Sequence, residues 1–210
     1  MDLNTMRTIV RRDLRDEEPT NYRWSNDELD RHIAHAVKEL SEAMPLPAKA
    51  TLPTTAGSRV IDISSLTDRV MVEAVEYPAG NFPPCYQRFA LWGHALTLFA
   101  DEVPDGSDCN VYYGMLHTLD AEGSTIPTRH EDLIATGAEG YAAVEWASYA
   151  INRVNVGGSG TPKEFLSWGN ERLKRFRNEL KRLGRKNRIR IRQLYQPYNF
   201  PVSKATDYGP

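Results

Sequence analysis

Residues 89–100 read Phe-Ala-Leu-Trp-Gly-His-Ala-Leu-Thr-Leu-Phe-Ala, and the fold class turns on how that run is taken. As one piece it is a short buried helix; broken at Gly93-His94 it is two strands, Tyr86–Trp92 and Ala95–Ala100. Periodicity alone does not separate the two for so short an apolar run. Its surroundings favour strands. From about Lys49 to Leu119 the chain is rich in Val, Ile, Tyr, Phe and Thr, and turn signals interrupt it at Ala56-Gly57-Ser58, Pro78-Ala79-Gly80 and Pro104-Asp105-Gly106. Strands are expected near Val60–Ile63, Val70–Tyr77, Tyr86–Trp92, Ala95–Ala100 and Cys109–His117. Phe89–Ala100 is also the longest nearly apolar stretch; it falls short of the roughly 20 residues a membrane helix needs, and His94 interrupts it.

On both sides of this region the period becomes helical. Leu3, Met6, Ile9, Val10 and Leu14 stripe a first helix, about Asp2 to Asp16, which Glu17-Glu18-Pro19 ends. The second helix opens on a capping box, Ser25 with Glu28, and Trp24 and Leu29 stand where a hydrophobic staple closes. Leu29, Ile33, Val37, Leu40 and Met44 follow at helical spacing until Pro45 and Pro47 stop it. Beyond the strands, Thr128 and Glu131 form a second capping-box pattern opening a helix to about Asn155. Ala135, Gly137, Ala138, Gly140, Ala142, Ala143, Ala147 and Ala150 leave room on it for another helix to approach closely. Gly157-Gly158-Ser159-Gly160 is a turn. Thr161, Pro162 and Glu164 then start a last helix, with Phe165, Trp168, Leu173, Phe176, Leu180 and Leu183 as its apolar residues and Gly184 as its expected end.

The expected fold is therefore α+β: an antiparallel helical bundle from both ends of the chain, an inserted small antiparallel β-sheet, and an extended C-terminal arm. The expected boundaries are 1–48 for the first helix pair, 49–119 for the β-rich insertion, 120–187 for the second helix pair and 188–210 for the arm.

Composition is that of a globular protein, 40% apolar and 26% charged, which excludes disordered and fibrous classes. The start of the chain carries no apolar secretory segment. Two cysteines, Cys85 and Cys109, are too few for a disulfide framework and read as reduced thiols. The net charge of −2 hides an asymmetry. Between Thr161 and Arg192 there are twelve basic and three acidic residues, so the rest of the chain is strongly acidic. The basic helix, with Arg172, Lys174, Arg175, Arg177, Lys181 and Arg182, has three readings: contact with DNA, contact with an acidic protein surface, or a solvated face whose cations suit a helix C-terminus.

Sharper chemical readings find little purchase. His32 and His35, with Glu28 and Glu39 on neighbouring turns, fall on what reads as the solvated face of the second helix. Asp101–Asp108 has Asp and Gly at calcium-loop positions, but Val103 stands at position three and Tyr112 at position twelve, so it reads as an acidic turn. Gly157–Gly160 lacks the Lys-Ser/Thr of a phosphate loop. No catalytic residue, metal site or cofactor is expected.

Three stretches carry a resemblance to the head-to-tail adaptor, or head-completion, family of tailed phages. They are Tyr22-Arg23-Trp24-Ser25-Asn26-Asp27-Glu28-Leu29 with the helix to Met44; Leu116-His117-Thr118-Leu119-Asp120 leading to Ser124-Thr125-Ile126-Pro127 and His130-Glu131-Asp132-Leu133-Ile134; and Tyr141-Ala142-Ala143-Val144-Glu145-Trp146-Ala147. Their order along nearly the whole chain is similar to that family's. The resemblance implies a structural virion protein made in the host cytoplasm. It would form a ring, usually of twelve copies, docked under the portal at the head–tail junction, with packaged double-stranded DNA passing through its centre. The expected partners are the portal ring, neighbouring copies of the chain and the next neck or tail protein, with no membrane and no enzymatic role. The arm would meet the portal through Arg188, Arg190, Arg192, Tyr195, Pro197, Tyr198 and Phe200. The sizeable β-insert departs from the smallest family members and leaves the contact with the next component open. The rival expectation is a nucleic-acid-binding protein acting through the basic helix.

Overall fold

The structure, a computed structural model, describes residues 1–150 and 161–194, with the side chains of 192–194 outside the description. The chain forms two compact units. One combines Met1–Leu46 with the described part of Leu116–Arg185; the other combines Pro47–Met115 with the described residues from Lys186 to Leu194.

The first unit is helical. α1 (Leu3–Leu14) starts where the Asp2 side chain accepts from the Thr5 amide at 2.8 Å, and it ends at Arg15, whose φ of 55° turns the chain out of the helix. α2 (Asn26–Ala43) has the expected reciprocal cap: Ser25 Oγ accepts from the Glu28 amide while the Glu28 carboxylate accepts from the Ser25 amide at 2.7 Å. Trp24 and Leu29 are both buried beside it, and the Trp24 indole donates to the Ala142 carbonyl at 3.3 Å. α3 (Glu131–Ala150) begins differently from expectation. Thr128–His130 forms a 3₁₀ turn after Pro127 with no side-chain cap, and the Glu131 carboxylate accepts from the Met1 amino group at 3.0 Å. The expected reciprocal box is not formed, and the start of α3 is a 3₁₀ turn instead.

α4 (Pro162–Leu194) crosses α3 at the small residues. Phe176 is fully buried against Gly137, and Leu173 and the Gly169 backbone lie against Gly140. Met6, Val10, Ile33, Leu40, Ile134, Ala138 and Phe176 fill one continuous core.

The second unit is built on a six-stranded sheet in the order β1-β6-β3-β4-β5-β2. The strands are β1 (Leu46–Pro53), β2 (Val60–Asp62), β3 (Arg69–Glu76), β4 (Tyr86–Trp92), β5 (Ala95–Phe99) and β6 (Asp108–Met115). The sheet is antiparallel and curls into half a barrel. Residues 89–100 resolve as a hairpin, with Gly93 at a φ of 59° in its turn. Ile61, Ile63, Val72, Val75, Leu96, Leu98, Cys109 and Val111 form a separate core.

These findings correct the expected fold class. Among the described residues the chain is mixed α/β, four α-helices and a curled six-stranded sheet with its own core, and not a helical bundle carrying a small inserted sheet. The missed strand is β1. Pro47 and Pro53 argue against a strand, but β1 is an edge strand, where a missing N–H leaves no ladder bond broken. The last helix also runs ten residues past Gly184. Gly184 does not take a left-handed φ, and Asn187 continues the buried stripe of Leu173, Phe176, Leu180 and Leu183. Arg188-Ile189-Arg190-Ile191-Arg192 alternates like a strand but is helix, and the arm expected from Arg188 is helical as far as Leu194.

Candidate functional site

α4 sorts its residues by face. Leu173, Phe176, Leu180, Leu183 and Asn187, spaced by three and four, are buried; the cations occupy the rest of the circumference. Arg175 is tied to Glu171 at 2.6 Å and Arg182 to Glu179 at 2.7 Å, ordinary pairs along an exposed helix. Lys174, Arg177, Lys181 and Arg185 follow one another at three- and four-residue steps on one exposed face of the helical unit. None of these four makes a salt bridge among the described residues; Arg177 reaches only the Tyr141 hydroxyl, at 3.5 Å.

Arg172 belongs to a different environment. Its guanidinium stacks on Trp168, 4.9 Å from the ring centroid, and its Nε lies 3.5 Å from Glu139 Oε2. Glu139 is 1% exposed and Oε2 has no hydrogen-bond partner. Burial, helped by a hydrogen bond with Asp13, raises the Glu139 carboxyl to about 8, so it is mostly protonated at neutral pH. A cleft of about 610 Å³ opens beside this group, lined by Asp13, Leu14, Arg15, Arg23, Glu164, Phe165, Trp168 and Arg172.

Of the residues expected to meet the portal, Arg188 is an exposed side chain of α4, and Arg190 is half-buried, bound to Glu73 of β3 and to the Asn187 side chain. Arg190 thus anchors the end of α4 to the sheet. Arg192 lies on the same helix, and Tyr195, Pro197, Tyr198 and Phe200 lie outside the described residues. The structure does not bring the basic residues together into one pocket; it lays them along a single long helix.

No family model matches the chain, and no curated protein is similar to it in sequence.

The other motifs resolve into local structure. His32 is not solvated as expected but 6% exposed, with Nε2 2.5 Å from Glu145 Oε2 and off the line of a hydrogen bond. Arg31 binds the same carboxylate, and burial holds the His32 ring below its ordinary value despite that neighbour. The face that looked polar in α2 packs against Glu145 of α3. His35 stays exposed, stacked on Tyr141 with ring centroids 4.2 Å apart. In the calcium-like loop, hydrogen bonding from Ser107, whose amide lies 2.8 Å from Asp105, and then from the Tyr77 hydroxyl, also at 2.8 Å, brings the Asp105 carboxyl down to about 2. The loop is an Asx turn. Among the described residues no group of three or more His, Cys, Asp or Glu side chains is placed to hold a metal, and no helix is long and apolar enough to cross a membrane. Gly157–Gly160 lies outside the described residues.

Two features escaped the sequence reading. Glu139 sits between Ala138 and Gly140 on the small-residue face of α3, so its burial could have been read from its neighbours. Trp92 and Phe99, 88% and 57% exposed, stand beside Arg88 and Thr97 on the outward side of the β4–β5 hairpin, where large apolar residues hide which side is the core.

Proposed function

We propose that this chain is a structural subunit of a tailed-phage neck: a ring-forming adaptor under the portal that joins head to tail and passes DNA. The observation that supports this best is the exposed row Lys174–Arg177–Lys181–Arg185, without a salt bridge among the described residues, held on a helix whose buried face is locked into a core by Phe176 and Leu173 against Gly137 and Gly140. A rigid element with uncompensated cations suits docking on an acidic protein face, where complementary charge steers and registers the partner. The resemblance described above supplies that partner, the portal ring, and supplies neighbouring copies and the next neck or tail protein as further contacts. The role is mechanical and needs no catalytic group.

Native mass spectrometry of the chain alone and mixed with its portal ring tests the reading. A portal-dependent complex of about twelve copies is the expected result, the number following from the resemblance. A monomer indifferent to the portal would overturn it.

The same row favours a second reading, nucleic-acid binding, because neighbouring cations along one helix face also suit a phosphate backbone. Salt-dependent binding of the isolated chain to duplex DNA would favour it over the adaptor.

A further inference from the structure

The cleft beside Glu139 is lined by three guanidinium groups, and the carboxylates around them are engaged elsewhere. Aromatic rings hold two of the three cations: Arg172 lies over Trp168, and Arg23 lies 5.3 Å from the Trp146 ring centroid and 5.4 Å from that of Phe165. Arg15, at the end of α1, and Arg23 make no salt bridge among the described residues. Arg172 faces Glu139, which is mostly protonated at neutral pH and so neutralises little of its charge. Asp13 and Glu164 also line the cleft, but Asp13 is hydrogen-bonded to Glu139, and Glu164 accepts from the Thr161 amide at 2.8 Å in the cap of α4. Leu14, Phe165 and Trp168 add apolar surface. Arginine beside aromatic rings is the composition of a protein docking site, and guanidinium forks bind carboxylates through both oxygens.

The same chain carries a surface of opposite character. Asp101 and Glu102, on the turn after β5, are exposed and make no salt bridge among the described residues. Phe99 and Val103 flank them, 57% and 48% exposed. The turn is held by its backbone: Arg59 donates to the Ala100 and Asp101 carbonyls, and the Gly57 amide donates to the Pro104 carbonyl at 2.8 Å. These bonds use carbonyls and leave both carboxylates for a partner. A loop already fixed also loses little conformational entropy on docking.

We propose that the 99–103 turn of one copy docks in the α1–α4 cleft of a second copy, with Asp101 and Glu102 meeting Arg15, Arg23 and Arg172. The two surfaces are opposite in charge, and each carries apolar side chains beside its charges. A phosphate group suits the cleft less well, because its denser charge would lie against Asp13 and Glu164. Turn and cleft are different patches, so the contact is heterologous and passes from copy to copy, closing a ring or extending a filament. It is argued from these two surfaces alone and does not depend on the adaptor reading.

Sedimentation velocity of the full chain, over a range of concentration and salt, tests this. The wild type is expected to self-associate, and less so as salt rises. Arg15→Glu/Arg23→Glu and Asp101→Arg/Glu102→Arg are each expected to weaken association by about tenfold or more, since like charges then face each other. Circular dichroism checks that both stay folded, and Asp101→Asn/Glu102→Gln, which only removes the charges, is expected to lose less. An equal mixture of the two reversed variants is expected to regain association, because each reversed surface then meets its reversed counterpart. A wild type that stays monomeric, variants that associate as well as the wild type, or a mixture that gains nothing overturns the proposal. Tryptophan fluorescence that responds to inorganic phosphate in a monomeric wild type also overturns it, and gives the cleft to a small anion. Charge-dependent self-association in a chain indifferent to the portal keeps the contact and sinks the adaptor reading.

Discussion

Two buried charges behave in opposite ways in the helical unit. Glu139 ionises at 4.5 in an unfolded chain and at about 8 when buried between Asp13 and Arg172. Below pH 4.5 both states hold the proton and there is no penalty. As pH rises from 4.5 towards 8 the unfolded chain gives up its proton and the folded one does not, so native stability falls across that window and levels off above it. Glu139→Gln keeps the shape without the ionisation. Its denaturation midpoint is expected to match the wild type near pH 4 and to exceed it by a widening margin up to about pH 8, measured by urea titration across pH. Arg11 is the contrary case. Its guanidinium is 7% exposed, 2.5 Å from Asp16, and it also donates to the Trp24 carbonyl and the Asn26 side chain. Arg11→Leu strands the Asp16 carboxylate, itself only 2% exposed, and is expected to cost about 3–5 kcal/mol in the same assay.

The α3–α4 crossing shows what an element-scale sequence reading does and does not reach. The small-residue side of α3 announced a close neighbour, and the structure places Gly140 where an added Cβ would lie 2.8 and 2.9 Å from Leu173 side-chain atoms and 3.2 Å from the Gly169 carbonyl oxygen. Alanine improves helix propensity by about 1 kcal/mol, but here the contact includes backbone of α4, which cannot rotate away. Gly140→Ala is expected to lose about 1–3 kcal/mol net. Gly123→Ala, with nothing within 4 Å, is expected to change the melting temperature little. The cap of α2 and five of the strands were legible because Ser25–Glu28 and the Val/Ile/Tyr alternation act within a few residues. β1 and the end of α4 were not. Whether proline at Pro47 is tolerated depends on β1 having one neighbour instead of two, and whether Gly184 ends a helix depends on Asn187 finding a buried place. Both are decided by tertiary contacts. The basic face of α4 was legible from residue type alone, whereas the engagement of Arg190 by Glu73, far apart in sequence, was not.

At the scale of the whole molecule, the charge asymmetry gives the decisive experiment. Lys174, Lys181 and Arg185 are exposed and make no salt bridge among the described residues, so replacing all three with Glu removes no described ion pair. The fold is expected to persist, checked by an unchanged circular dichroism spectrum and a melting temperature close to wild type, while the net charge falls from −2 to −8. Partner binding responds in a way that separates the two readings. If the row docks on an acidic portal face, the triple variant loses the portal complex in native mass spectrometry, and the wild-type chain shows no salt-dependent affinity for duplex DNA. If the row grips phosphates, the wild-type chain binds DNA with an affinity that falls steeply with salt, and the variant flattens that log–log slope by about 3, one for each cation removed. An unaltered portal complex in a folded variant would leave the cations as a solvated helix face and transfer the docking role to the chain beyond Leu194.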